Sequence, residues 1–181
     1  MKRLALHTCC APCLIEPLRL LSDELDDNEI TAVYYNPNIE SVEEYERRRD
    51  TFMGYACSVD VAAMELPYDN GAWREVMCSA SERAETPERC ENCYRVRFER
   101  VAKWAVEQGF THFATTLTVS PYQQRDVIDR VACEVCAEHG LEYIGRDFSE
   151  HFGDAQRIAR DLGLYRQSYC GCAISKQLRE T

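Results

Sequence analysis

Seven of the 11 cysteines fall into three tight groups. The groups are Cys9, Cys10 and Cys13 in HTCCAPC (7–13), Cys90 and Cys93 in CENC (90–93), and Cys170 and Cys172 in CGC (170–172). Thiolates are the ligands of zinc and of iron–sulfur clusters. At a helix start, which is predicted for CENC, the helix dipole lowers thiol pKa values and favours the metal-binding form. The pattern predicts that the three groups bind metal together.

The short spacings within the groups make two further predictions. Adjacent side chains generally point in different directions, so we expect Cys9 and Cys10 to serve different metal centres. Gly171 allows the backbone to bend between Cys170 and Cys172, so that both thiols can converge on one centre.

The remaining cysteines have a different pattern. Cys133 and Cys136 also form a CxxC, but they lie inside a predicted helix and share one of its faces, which favours core packing. Cys57 and Cys78 are isolated, so we predict that they are buried or incidental.

Length, charge and hydropathy limit the class of protein. The chain has 181 residues, which suits one domain spanning residues 1–181. No signal-peptide pattern and no membrane-length apolar run occurs, so we expect a cytoplasmic protein without membrane contact, where structural disulfides are not kept. The net charge of −10 argues against long-range attraction of nucleic acid, but 18 of the 21 basic residues are arginine, which allows a locally basic patch.

Short apolar runs alternate with helical periodicity along the chain. Strands are predicted at residues 4–7, 31–35, 61–66, 112–115 and 142–144, and helices at 14–25, 41–56, 71–80, 90–108, 122–138 and 153–162. The alternation predicts a single α/β domain with a mainly parallel, Rossmann-like sheet flanked by helices. Ligands of such sheets bind beyond the carboxyl ends of the strands, so we expect the metal site there.

Several longer motifs together resemble one known family, the epoxyqueuosine reductases of the QueH type. They are LHTCCAPC (6–13), YYNPNIE (34–40), EYERRR (44–49), RCENCYRVR (89–97), FATTLTVSPYQ (113–123), DF (147–148) and LYRQSYCGC (164–172). The match keeps its order over almost the whole chain. It implies an oxidoreductase that reduces the epoxide of epoxyqueuosine, at the wobble position of tRNA, to the alkene of queuosine, the last step of queuosine biosynthesis.

The resemblance also implies the cofactors and their ligands. It implies a 4Fe–4S cluster and an adjacent second metal ion, expected to be iron, held by cysteines and an aspartate. Carried onto this chain, the ligand candidates are Cys9, Cys10, Cys13, Cys90, Cys93, Cys170, Cys172 and Asp147. Which thiol serves which metal stays open.

The reaction also requires an electron donor, proton donors and contacts with the tRNA anticodon loop. We expect an external reductant, and a second metal that binds the epoxide oxygen as a Lewis acid. Tyr122 and Tyr169 are the predicted proton donors, because they neighbour Pro121 and Cys170 in loops. The arginines that could hold phosphates are Arg47, Arg48, Arg49, Arg89, Arg95, Arg97 and Arg166. For Arg47 to Arg49, which lie on different faces of one helix, charge pairing with neighbouring glutamates is favoured over phosphate contact.

This chain departs from the family pattern at two places. Gln123 follows the SPY segment, where a lysine is expected, and residues 153–157 read GDAQR where a basic, serine-containing stretch is usual. If these positions grip tRNA, the grip is rearranged in this chain.

Two other classes of protein remain open from the residues alone. One is a dithiol/disulfide oxidoreductase or sulfur-transfer enzyme, in which Cys9 and Cys13, or Cys90 and Cys93, cycle as a disulfide. The other is a non-catalytic, zinc-stabilised RNA-binding module. Iron and acid-labile sulfide in the protein would separate both from the reductase.

Overall fold

Five parallel strands form the centre of the fold. The computed structural model describes residues 2–24, 29–79 and 87–180. The strands are β1 (Arg3–Thr8), β2 (Glu29–Tyr34), β3 (Ala62–Glu65), β4 (His112–Thr115) and β5 (Glu142–Tyr143), in the sheet order β3-β2-β1-β4-β5. Every pairing is parallel, which confirms the predicted Rossmann-like sheet.

Seven α-helices lie in the described part of the chain. They are α1 (Ala11–Glu24), α2 (Val42–Ser58), α3 (Asn70–Ser79), α4 (Pro87–Glu107), α5 (Arg125–His139), α6 (Phe152–Asp161) and α7 (Ala173–Glu180). The first six were predicted, with ends displaced by a few residues, whereas α7 and the two 3₁₀ helices, Thr116–Val119 and Ser149–His151, were not. No helix among these residues has the length and apolar character that crossing a membrane would need.

Helices cover both faces of the sheet. Leu4 and Leu6 of β1 are fully buried on the face covered by α1, α2 and α6. Ala5, between them, faces the opposite side, where it joins buried residues of α4 and α5 such as Phe98 and Ile128. The alternation follows from the two-residue period of a strand. Burial on both faces explains why Leu4, Ala5 and Leu6 form a continuous apolar run.

The strand order reverses at β1, and this reversal positions the site. Leu4 pairs with Ile30 of β2 on one side and with His112 of β4 on the other. In open parallel sheets the crevice at such a switch point, beyond the carboxyl ends of the strands, is the usual ligand site. The backbone N–H of Cys9, directly after β1, donates to Thr116 Oγ1, directly after β4, at 3.2 Å.

Candidate metal centre

Cys9, Cys10 and Cys13 converge where β1 gives way to α1. Their Sγ atoms all lie within 4.8 Å of one another, and those of Cys9 and Cys10 are 3.8 Å apart. The prediction that Cys9 and Cys10 point in different directions is therefore wrong. The chain turns from strand to helix between them, since β1 ends at Thr8 and α1 begins at Ala11, and this turn brings both thiols to one side.

Neighbouring polar groups donate hydrogen bonds to the triad formed by Cys9, Cys10 and Cys13. The Thr116 hydroxyl donates to Cys9 Sγ at 3.6 Å, and the Gln167 amide donates to Cys10 Sγ at 2.7 Å. Hydrogen bonds with Cys10 and Cys13 lower the pKa of Cys9 well below its usual range, whereas hydrogen bonds with Cys10 and Cys9, together with burial, raise the pKa of Cys13. The lowered pKa of Cys9 favours the thiolate, the form that binds metals.

The thiols of Cys170 and Cys172 form a second convergent pair, with their Sγ atoms 3.5 Å apart. Arg89 donates to Cys172 Sγ at 3.6 Å, and the backbone N–H of Ser175 donates to it at 3.4 Å. The pKa of Cys172 is lowered to about 6, chiefly by the hydrogen bond from Cys170 and then by those from Ser175 and Arg89. Cys172 is therefore a second thiolate near neutral pH.

The three predicted cysteine groups meet at one cavity of about 260 Å³. Its wall includes Cys9, Cys13, Cys90, Cys93, Cys170 and Cys172, whereas Cys10 is buried and is not part of the wall. Cys90 and Cys93 reach it from the first two turns of α4, and Cys93 packs in a small cluster with Cys172. Thiol donors at this density suit a metal cluster.

Asp147 lies apart from this cavity. Its side chain is 51% exposed, pairs with Arg125 at 2.6 Å and accepts the backbone N–H of Ser149 at 2.8 Å. These hydrogen bonds to Ser149, together with the Arg125 charge, lower the pKa of Asp147. Its role as a metal ligand stays a prediction, and that role requires the carboxylate to leave Arg125.

The predicted phosphate-binding arginines divide into two sets. Arg48, Arg89 and Arg97 are buried and line the cavity. Arg97 donates to Asn36 Oδ1 at 2.6 Å, so its guanidinium faces inward. The others lie away from the cavity: Arg49 and Arg95 pair with carboxylates, Arg47 packs on the Tyr165 ring, and Arg166 is exposed.

Two residues at the centre were not predicted from the sequence. Gln167 and Thr116 donate to the thiols of Cys10 and Cys9. Both lie inside the family-like motifs, which is the signal that could have found them.

Of the other cysteines, the three whose side chains the structure describes, Cys57, Cys133 and Cys136, do not line the cavity. Cys136 packs in the core, where burial raises its pKa to about 12, whereas Cys133 and Cys57 are exposed. The core-packing prediction thus holds for Cys136 and fails for Cys133, because i and i+3 positions share a face without sharing its depth. The side chain of Cys78 lies outside the described residues.

Comparison with known families identifies the class of protein. A family model described as Epoxyqueuosine reductase QueH matches residues 4–178. The chain belongs to the QueH family of epoxyqueuosine reductases. The predicted reductase is confirmed, and QueH membership disfavours a dithiol oxidoreductase, a sulfur-transfer enzyme or a zinc-stabilised RNA-binding module.

Relatives named Epoxyqueuosine reductase QueH match nearly the whole of this chain. The protein from Acinetobacter baylyi is 31% identical over 182 residues, which cover 99% of this chain and 82% of the relative. The protein from Thermotoga maritima is 29% identical over 180 residues, which cover 97% of this chain and 91% of the relative. QueH membership makes the chain an oxidoreductase.

Solved structures support the fold. The U34-tRNA thiolase NcsA from Methanococcus maripaludis with its [4Fe-4S] cluster superposes with a TM-score of 0.57 at 10% identity, covering 99% of this chain and 63% of that one. The predicted subunit of a tRNA methyltransferase from Methanocaldococcus jannaschii gives a TM-score of 0.57 at 8% identity, covering 88% and 74%. At these identities the likeness concerns the fold alone.

Gly171 holds the CGC turn in a conformation that other residues rarely adopt. Its φ is +122°, and a methyl group there would lie 2.7 Å from Ile39 Cγ1. We expect Gly171→Ala to lower the unfolding free energy by about 1–3 kcal/mol more than Gly140→Ala, through overpacking against Ile39. Gly140 is the matched control, since its φ is also positive, at +69°, but its added methyl group meets nothing within 4 Å. Urea unfolding measures both, and equal losses would contradict the steric argument.

Proposed function

We propose that the chain reduces epoxyqueuosine, at the wobble position of a tRNA, to queuosine, using an iron–sulfur cluster and an adjacent metal ion. The observation that carries the proposal is the wall of six cysteines around one cavity in a member of this family. The proposal includes an external electron donor and a cytoplasmic location.

The donor chemistry of the cavity fits these cofactors. Buried thiols are soft ligands, and two of the three groups already have their Sγ atoms within metal-sharing distance of each other. The residues that would hold the two centres are Cys9, Cys10, Cys13, Cys90, Cys93, Cys170 and Cys172, with Asp147 as the proposed carboxylate ligand. When bound, a 4Fe–4S cluster supplies single electrons, and the second metal ion, expected to be iron, supplies a Lewis acid.

The reaction sets the tasks of the protein side chains. Two electrons and two protons are taken up, both C–O bonds of the epoxide break, a carbon–carbon double bond forms, and the oxygen leaves as water. The protein must hold the cyclopentane ring at the cysteine wall and deliver protons to the oxygen. Arg89 and Arg97 add fixed positive charge there, which favours the negative charge that develops on the oxygen.

Tyr169 is the proton donor that the cavity favours. It lines the cavity next to Cys170, and burial raises the pKa of its hydroxyl, which keeps the proton on Tyr169 until it is transferred. Arg48 fixes its backbone carbonyl at 3.2 Å and lies 4.9 Å from the centre of its ring.

Replacing Tyr169 with phenylalanine tests this role. The change keeps the ring and removes the proton, so we expect kcat to fall about 100-fold while KM stays within a factor of about two. Tyr165→Phe is the control, because that hydroxyl bonds Glu44 and the side chain does not line the cavity. An unchanged kcat in Tyr169→Phe would show that Tyr169 is not the proton donor.

Anaerobic turnover tests the proposed function itself. Protein reconstituted with iron and sulfide is mixed with dithionite and with tRNA that carries epoxyqueuosine, and the nucleosides are identified by mass spectrometry after digestion. We expect queuosine to form. If the protein binds iron and sulfide but forms no queuosine, the proposed substrate is wrong. If protein free of iron forms queuosine, the proposed cofactor is wrong.

A further inference from the structure

Besides the cysteines, the cavity wall contains aromatic, amide and arginine side chains. Beyond the cysteines it is formed by a set that we call the rim: Tyr122, Gln123, Gln124, Phe152, Gln156 and Arg179. These residues come from the turn before α5, from α6 and from α7, so three separate parts of the chain meet there. None of the rim residues is among the proposed metal ligands. Two of them, Gln123 and Gln156, lie in the two segments that depart from the family pattern.

Tyr122 is the most prominent apolar group of the rim. Its side chain is 67% exposed, the largest fraction among the large apolar residues that the structure describes as exposed. Phe152 meets the ring edge-on, with centroids 6.1 Å apart and an angle of 87°, and the Arg179 guanidinium lies 4.7 Å from its centroid. The ring is thus supported in position while most of it stays open to a ligand.

The charge around the ring selects the class of ligand. Four arginines line the cavity, and none of its described lining residues is Asp or Glu, although the chain carries a net charge of −10. A local concentration of arginine in an acidic protein favours an anionic partner. The side-chain amides of the rim add donors and acceptors for the edge of a base. Aromatic face, amides and arginine together match a single-stranded nucleotide.

We propose that Tyr122 is a stacking platform for an anticodon-loop base next to the nucleotide that enters the cysteine-lined cavity, with Arg179 beside the same nucleotide. The assignment rests on the proposed function, since it takes the wobble nucleotide as the group that enters. It replaces the sequence-based prediction of Tyr122 as a proton donor. A proton donor must lie within hydrogen-bond reach of the reacting oxygen, whereas Tyr122 lies at the mouth of the cavity, next to solvent.

RNA binding by the reconstituted protein tests the platform without turnover. The probe is a fluorescently labelled, unmodified anticodon stem–loop, and anisotropy gives its Kd. We expect Tyr122→Ala to weaken binding about 10-fold or more, and Tyr122→Phe to bind within about twofold of the parent, because phenylalanine keeps the stacking face. Leu162→Ala is the control, since Leu162 is also exposed, at 57%, and does not line the cavity.

Two results would overturn the platform. One is a Tyr122→Ala protein that binds the stem–loop as tightly as the parent does. The other is a Tyr122→Phe protein that binds the stem–loop normally but loses kcat as Tyr122→Ala does, which would return Tyr122 to proton transfer. Failure of the proposed function is distinguishable from both, because it appears as absent turnover on epoxyqueuosine tRNA while the stem–loop Kd still depends on Tyr122.

Discussion

Replacing Cys9 with serine is expected to abolish reduction of epoxyqueuosine and to lower the iron and acid-labile sulfide bound after anaerobic reconstitution. Cys9 is the thiol of the triad that both lines the cavity and has its pKa lowered by its two cysteine neighbours. A serine hydroxyl is a harder ligand and stays protonated at neutral pH, so it cannot replace a thiolate at a soft metal. Iron and sulfide analysis, with nucleoside mass spectrometry, measures both effects.

Cys133→Ser is the matched control for this experiment. Cys133 is an exposed cysteine of α5, outside the cavity wall, so iron, sulfide and turnover should equal those of the parent protein. A Cys9→Ser protein that retains full iron and full turnover would contradict the ligand assignment. Loss of both in Cys9→Ser, with an unchanged urea unfolding curve before reconstitution, would assign the defect to the metal site and not to folding.

The central strands β1 and β4 were predictable because they are buried on both faces. A strand of that kind has to be apolar throughout, and residues 112–115 were predicted as the strand that the structure shows at His112–Thr115. Helix starts were harder to predict. The apolar period of α1 is clear only from residue 14, but the helix begins at Ala11. Pro12 is tolerated in its first turn, because backbone N–H groups there make no hydrogen bond within the helix.

Helix α7 escaped prediction for a different reason. It has eight residues, too few for helical periodicity to stand out from its surroundings. It is held by a contact distant in sequence, in which the backbone N–H of Ala173 donates to the Glu40 carboxylate at 2.9 Å. Ser175 and Arg179 of this helix line the cavity, so two residues of the site lie on an element that the local sequence does not reveal.

The cysteine groups, in contrast, were visible from their spacing, and the first of them from its place directly after β1. Their meeting point followed from the parallel sheet, since the carboxyl ends of β1 and β4 share one edge. The directions in which the arginine side chains point could not be predicted from the sequence. Consecutive residues on a helix point about 100° apart, so the run from Arg47 to Arg49 can turn only one side chain inward, and long-range packing decides which one.

Arg48 is the side chain that turns inward, and replacing it with methionine is expected to lower the unfolding free energy by about 3–5 kcal/mol. Its side chain is 2% exposed and pairs with Glu44, itself 13% exposed, at 2.6 Å. The same guanidinium donates to the carbonyls of Tyr169 and Cys170, each at 3.2 Å. Methionine fills the space but removes the charge partner of the Glu44 carboxylate and one donor from each of the two carbonyls, which leaves the Tyr169 carbonyl without this hydrogen bond. Urea unfolding at neutral pH measures the loss.

Arg49→Met is the control, because it removes the same charge from the next position of the same helix. Arg49 is 27% exposed and pairs with Asp50 at the surface, so its loss should cost under about 1 kcal/mol. Equal stability of the two variants would contradict a structural role for Arg48. The CGC turn would then depend on the loop after β2, where Asn38 donates to the Cys170 carbonyl at 3.0 Å and the Glu40 backbone donates to that of Gly171 at 3.2 Å. A larger loss of unfolding free energy in Arg48→Met than in Arg49→Met would show that α2 holds Tyr169 and Cys170 in position. A helix without metal ligands would then contribute to the geometry of the metal centre.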